Sequence, residues 1–422
     1  MISKVKFKKD KIYILFLFLF SVIINQYYGN LGLFPMDSAH FFDSGYRVLN
    51  GEIPFQDYWL VKGVMLDYIQ AIFFYLLGVN WQAYVFHASA INALITLSTF
   101  FVLKNFKLKD EYSFFYSLLF SILAYPSSGT PFIDHHSAFF SLLGIYSFLL
   151  GINNKRKIFW ILIPIFFGMA FLSKQVPATY IILIVSLVLP LYALINKRIY
   201  LIWYTLASTI LFIFIIIFFG KLQGISFSAF LDQHIYYPQI IGSKRFISLA
   251  FTFENIIGNF ILIYLIIIFF IYINLRNLFI LKSYIKQNNF YVFLILLFFT
   301  FSLILHQLLT KNQTFIFFII PILCAFSHIE VSNSNFKFKK IASLIILSFC
   351  LFSTYKYHFR FNEERKFHEL KNVNLQLAIN AKEINKKLSG LKWITPQFRD
   401  NPKTEINLIN DIQLFLKKDK RN

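Results

Sequence analysis

The chain has 422 residues, of which 57% are hydrophobic and only 14% charged. A surface of that composition could not be kept in water, which excludes a soluble enzyme and makes the chain an integral membrane protein. Its net charge of +21 would suggest nucleic acid in a soluble protein, but the basic residues fall in short clusters between apolar runs, so no nucleic-acid partner is expected.

The N-terminus, MISKVKFKKDK before IYILFLFLFSVII, has the charge and apolar core of a signal peptide. No small-residue cleavage site follows, so it reads as an uncleaved first transmembrane helix. Apolar runs that can cross a bilayer then fall at about 11–27, 82–103, 112–126, 137–152, 158–173 and 177–195. Five more follow at about 199–219, 255–275, 289–309, 314–330 and 341–355, which predicts an all-α protein of about eleven spans. With Lys4 to Lys11 in the cytoplasm, alternate loops carry Lys104, Lys107 and Lys109; Lys155, Arg156 and Lys157; and Lys197 with Arg198. Arg276, Lys282 and Lys286, then Lys337, Lys339 and Lys340, complete the set, so every cytoplasmic loop is basic. Cys324 and Cys350 lie inside apolar runs and make no disulfide framework.

The first outer loop, 28–81, collects the polar residues that the spans avoid. Its stretch FPMDSAHFFDSGYRVLNGEIPFQDYWLVKG contains Asp37, His40, Asp43, Asp57 and Lys62. Polar loops on an apolar scaffold are where binding and catalysis sit. The run Val64 to Gly78 is short and includes Asp67 and Gln70, so it is predicted as an interfacial helix. Reading it as a span would invert every later loop and destroy the charge pattern. Other outer places are Tyr125 to Ser137, Ser173-Lys174-Gln175, Lys221 to Asn255 and Thr310 to Gln313. Beyond a membrane domain at 1–355, the segment 356–422 is polar with helical periodicity and forms a small soluble tail, too short for a self-sufficient core.

The arrangement resembles the GT-C fold glycosyltransferases, multi-span enzymes that take a sugar from a polyprenyl-phosphate carrier at the outer face of the membrane, among them protein O-mannosyltransferases and lipid A sugar transferases. The resemblance rests on Asp37 soon after the first span, on Gly51-Glu52-Ile53-Pro54, Tyr58 and Lys62-Gly63, and on a Leu-rich helix ending Leu77-Gly78. It continues through Asp134, Leu172-Ser173-Lys174-Gln175 and Lys311-Asn312-Gln313 leading to Pro321, and covers most of residues 1–330 by spacing more than identity. It implies a bacterial inner-membrane enzyme of the cell envelope with its active site and tail on the periplasmic side. Its substrates would be a polyprenyl-phosphate-linked sugar and a lipid, glycan or protein acceptor. Many relatives carry an acidic pair at the first site, whereas Ser38 follows Asp37 here, so no divalent metal or other cofactor is expected.

Two readings stand beside each residue. Asp37 either caps the helix beginning near Ser38 or, as the resemblance implies, is the general base that takes the acceptor's proton. Lys62, Lys174 and Lys311 either snorkel at helix ends or, with His40 and Arg245, meet the donor phosphate as the resemblance implies. Asp134-His135-His136 looks like a metal or acid-base cluster, but three consecutive residues do not share a helix face. Asp134 either caps a helix ahead of Ser137 or, with His135, binds the acceptor, as the resemblance implies. His306 and Gln307 read as helix-to-helix hydrogen-bonding residues. The leading function is an inverting sugar transferase, and the rival is a carrier, flippase or ligase for lipid-linked saccharides. Transporters place charged sites near the midplane of paired halves, whereas the polar residues here collect at one face.

Overall fold

The computed structural model describes residues 2–32, 37–125, 129–250, 252–280, 284–310, 316–334, 337–362, 370 and 373–418. Each apolar run of the sequence is a helix. The bundle comprises α1 (Ile2–Gly29), α4 (Trp81–Asn105), α5 (Asp110–Ala124), α6 (Ile133–Asn154), α7 (Lys157–Ser173) and α8 (Gln175–Ile195), with α2 (Asp37–Leu49) and α3 (Met65–Leu77) between α1 and α4. It continues with α9 (Tyr200–Leu222), α10 (Phe227–Leu231), a π-helical turn at Asp232–Tyr236, α11 (Tyr237–Ile247), α12 (Phe253–Ile256) and α13 (Ile261–Ile280). The last members are α14 (Asn288–Thr310), α15 (Ile319–Asn333) and α16 (Lys339–Asn362). Eight helices among the described residues are long and apolar enough to cross a bilayer, which makes this a multi-pass membrane protein. The other predicted spans, α5, α7 and α15, have 15, 17 and 15 residues. At 13 residues, α3 reaches only about 20 Å and is too short to cross.

In lipid there is no hydrophobic pull between helices, so close packing and polar contacts hold them together. α6 is the central pillar, with 94% of its apolar window buried, whereas α9 lies at the periphery with 11% buried. Ser137, Ser141, Gly144, Ser147 and Gly151 recur along α6 and let neighbours approach; Phe167 of α7 sits where a side chain on Gly144 would clash. Asn80 starts α4 by accepting the Ala83 N–H at 2.8 Å.

The two ends of the bundle differ in chemistry. At one end Lys104 meets Asp10 and Asp110, Asn105 bonds Asn154 at 2.9 Å, and Asn288 donates to the Ile152 carbonyl at 3.1 Å. Asn277 donates to Glu330 at 2.9 Å in the same region. The loops that follow α4 and α6, with Lys104 and Lys155, and the start of α14 lie at this end. At the other, Trp81 donates to the Gly29 carbonyl at 2.9 Å, Asn25 to the Gly129 carbonyl at 2.7 Å, and Tyr84 to the Ser38 carbonyl at 2.7 Å.

The tail departs from its expected helical character. α16 runs to Asn362, past the predicted boundary, and the segment beyond it holds short 3-10 turns and a two-stranded antiparallel sheet. That sheet comprises β1 (Ile379–Asn380) and β2 (Lys392–Trp393), followed by a single helix, α17 (Pro402–Lys418). Asn374, Asn380 and Asn385 cap the three 3-10 turns by accepting the backbone N–H two residues on, each at 3.0 Å, and Gly390 and Pro396 bound β2. Ala381 and Leu391 pack into a cluster with Phe41, Leu66, Phe74 and Trp81, so the tail borrows its core from α2, α3 and α4.

Candidate active site

Between α2 and α3 the chain folds back as a strap, residues 50–64. Asp57 accepts the Ile53 N–H at 2.6 Å and closes the turn that begins it. This occupies Asp57, and Asp43 is held by Arg47 at 2.7 Å on the exposed face of α2. Lys62 turns inward and pairs with Asp67 on the first turn of α3, with 3% and 0% of the two side chains exposed. Ser44 bridges them, accepting from Lys62 at 3.0 Å and donating to Asp67 at 2.7 Å, while Tyr58 donates to the other Asp67 oxygen at 3.0 Å. The ammonium also stands 4.5 Å from the centre of the Phe41 ring. Burial outweighs the Asp67 carboxylate and holds Lys62 below the usual lysine range.

A second charged group lies where α6, the α7–α8 junction and α14 converge. Asp134 is the second residue of α6, and the residue before the helix, Phe132, makes no side-chain cap. The predicted capping role therefore gives way to a pairing one: a single Asp134 oxygen meets Lys174 Nζ at 2.7 Å and His306 Nε2 at 2.6 Å. Asp134 and His306 are buried, while Lys174 keeps 19% of its side chain exposed. Lys174 is thus the member of this trio that an incoming anion can reach. Beside His306, the Gln307 amide is buried with no partner for either of its polar atoms among the described residues.

The two groups are joined through the strap. Gly63 donates to the Ser173 carbonyl at 3.2 Å, and a Cβ at Gly63 would stand 1.7 Å from the Leu172 carbonyl oxygen, so only glycine permits this approach. Gln175 donates to the Val61 carbonyl at 3.0 Å and lies 2.8 Å from His234 Nδ1 in the π-helical turn. Gln233 of that turn accepts the Leu60 N–H and donates to the Phe55 carbonyl, both at 2.8 Å. Burial pushes the His234 imidazole down to about 4, against a smaller opposing pull from the Lys62 and Phe171 carbonyls.

Of the remaining predicted residues, His135 is buried and stacks on Tyr125 with ring centres 4.6 Å apart, in the packing of α6 rather than beside Lys174. His136 meets His87 at 3.0 Å, and His87 meets Gln70 at 2.9 Å, forming a buried polar chain across α6, α4 and α3. His40 is exposed on α2. Arg245 is exposed on α11, near enough for its charge to act on His306. Asp37 opens α2, but its side chain, like all of Lys311, lies outside the described residues. Among the described residues no group of three or more His, Cys, Asp and Glu side chains is placed to hold a metal ion. Sequence reasoning missed Asp67 as the partner of Lys62, and missed Gln233 and His234. The available signal was an acid in an otherwise apolar helix five residues beyond a lysine.

An apolar groove of about 570 Å³ runs along α7, α8 and α9, from Leu189, Pro190 and Ile202 to Phe171, Leu172 and Phe230. Its lining is apolar and includes Leu172, two positions before Lys174 in the sequence; Lys174 itself does not line it. No protein-family model matches this chain, and no curated protein matches it.

Proposed function

We propose that this chain is a membrane glycosyltransferase that moves a sugar from a polyprenyl-phosphate carrier to a lipid, glycan or protein acceptor in the bacterial cell envelope. The observation that carries the reading is the partly exposed Lys174 ammonium paired with the buried Asp134 and His306, on a chain whose apolar groove is lined as far as Leu172, two positions before that lysine. That sequence of environments suits a donor with a long apolar tail and an anionic head. In the reaction the acceptor hydroxyl attacks the anomeric carbon while the bond to the phosphate oxygen breaks. A carboxylate takes the hydroxyl proton, and the departing phosphate keeps the bond electrons. Lys174 is suited to receive that charge. Asp37, which the GT-C resemblance places as the base, opens the helix next to the strap, and Asp134 is the alternative carboxylate. The basic loops, gathered at the opposite end, favour a cytoplasmic N-terminus and an outward-facing site and tail.

The test is transfer from a radiolabelled polyprenyl-phosphate sugar by the purified protein, with acceptors drawn from outer-face lipids, glycans and peptides. Sugar released from the carrier and found on an acceptor supports the reading. Passage of the intact lipid-linked sugar across a vesicle membrane, without cleavage at any acceptor, replaces it with a carrier.

A further inference from the structure

α17 is 17 residues long, about 25 Å, and is apolar on more of its circumference than the tail covers. Pro402 and Ile406 are buried against the tail, and Ile409 and Gln413 are half-buried on the same face. Glu405 anchors that side, accepting from Trp393 Nε1 at 3.0 Å and from Thr395 at 2.8 Å. Next to the covered face runs a second stripe at i, i+4, i+7 and i+8. Leu408, Ile412, Phe415 and Leu416 are 48%, 58%, 71% and 50% exposed. Thr404, Asn407 and Asp411 occupy the flank beyond it.

The geometry points to the bilayer surface as the occupant of this stripe: α17 is an interfacial helix that lays Leu408, Ile412, Phe415 and Leu416 into the lipid headgroup boundary. The tail is docked on the bundle through Ala381 and Leu391 against Phe41 and Trp81, and Lys387 reaches Tyr46 of α2 at 3.4 Å, so α17 is tethered at a membrane-flanking end of the molecule. The sequence from 417 to 422, KKDKRN, has four basic residues and one acidic, a charge that complements anionic headgroups. A second copy of the chain fits less well. The stripe offers roughly 400 Å² of apolar surface, half of the about 800 Å² per partner that a stable protein interface takes.

The inference is tested on the full chain reconstituted into vesicles of phosphatidylglycerol and phosphatidylethanolamine, carrying a nitroxide on Ile412→Cys, Phe415→Cys or, as a control on the polar flank, Asn407→Cys. The native Cys324 and Cys350 are buried and stay unlabelled. Labels at 412 and 415 should be several-fold more accessible to oxygen than to a water-soluble nickel chelate, relative to the label at 407. Equal ratios at the three positions overturn the inference, because the stripe then faces water. Spin-spin broadening at 412 and 415 that vanishes on dilution with unlabelled protein also overturns it, because a second copy then covers the stripe.

Discussion

Lys62 and Asp67 face each other as an ion pair that neither side chain shares with solvent, with Ser44 and Tyr58 satisfying the remaining polar contacts of the carboxylate. Breaking such a pair by removing one partner leaves an uncompensated buried charge and costs about 3–5 kcal/mol, whereas replacing both with apolar groups is often neutral. Lys62→Met alone should therefore lower the unfolding temperature sharply, and Lys62→Met with Asp67→Leu should recover most of the loss. Turnover in the double variant decides the role of the lysine. Near-normal transfer makes Lys62 a clamp for the strap; lost transfer in a stable protein makes it a donor contact.

Lys174 is the exposed member of the Asp134 group, so Lys174→Ala should raise the KM for the polyprenyl-phosphate donor, and Lys174→Arg should keep part of the affinity by preserving charge. Asp134→Asn should lower kcat by about a hundredfold if Asp134 takes the proton, and by much less if it only holds Lys174 and His306 in place. Steady-state kinetics with varied donor concentration separates the two.

Asp37 opens α2. As a base, Asp37→Asn should cost about a hundredfold or more in turnover with near-normal thermal stability. As a helix cap it should tolerate asparagine, which caps about as well, while Asp37→Leu should lower stability. Measuring turnover and melting on both variants distinguishes the roles.

His234 makes part of the strap's anchorage sensitive to acid. An ordinary histidine titrates near 6.5, and burial holds this one at about 4, so the fold favours its neutral form. Its contribution is complete above 6.5 and is lost as the pH falls through about 4. In that window the unfolded chain binds a proton that the folded chain refuses, at a cost on the order of 3 kcal/mol. Melting temperature should fall less between pH 7 and pH 4 for His234→Asn than for the unaltered protein. Parallel pH curves would show that another group governs acid sensitivity.

Gly63→Ala should displace the strap, since the added methyl would overlap the Leu172 carbonyl oxygen. The expected result is faster amide exchange across residues 58–64 and at Ser173, with exchange in the basic-end loops unchanged. Unaltered exchange across the strap would contradict this packing.

The helices were legible in the sequence because each is an apolar run bounded by charge; eight of the eleven expected spans are long enough to cross, while α5, α7 and α15, like α3, are shorter. Distance along the chain hid most of the site. Asp134 and His306 are 172 residues apart, and nothing in local periodicity announces that α6 and α14 bring them together. Lys62 and Asp67 are close in sequence, but an irregular strap joins them, so no helical spacing pairs them. Lys174 was recognisable as a lysine at a helix end; its selection of Asp134 over solvent was not. The tail misled because its polar-apolar pattern suits a helix, while Asn374, Asn380 and Asn385 each accept the backbone N–H two residues on and close short turns instead.

The meeting of Gly63 with Ser173, of Leu60 with Gln233, and of Asp134 with His306 also fixes an order of assembly. The strap leaves the ribosome well before any of these partners, and its anchor on Gln233 lies 173 residues downstream of Leu60. A nascent chain that has inserted only α1, α4, α5 and α6 therefore carries a strap that α2 and α3 can hold through Ser44 and Asp67 but that lacks its partners on α7, α8 and the π-helical turn. The strap gains its first contacts beyond α2 and α3 when Ser173 and Gln175 arrive, and its charged neighbour is completed only with α14. Biogenesis thus makes the Asp134 group a late product of insertion, and a protease on the side of the membrane that bears the strap should cut it faster in chains halted before α8 than in those extended beyond the π-helical turn.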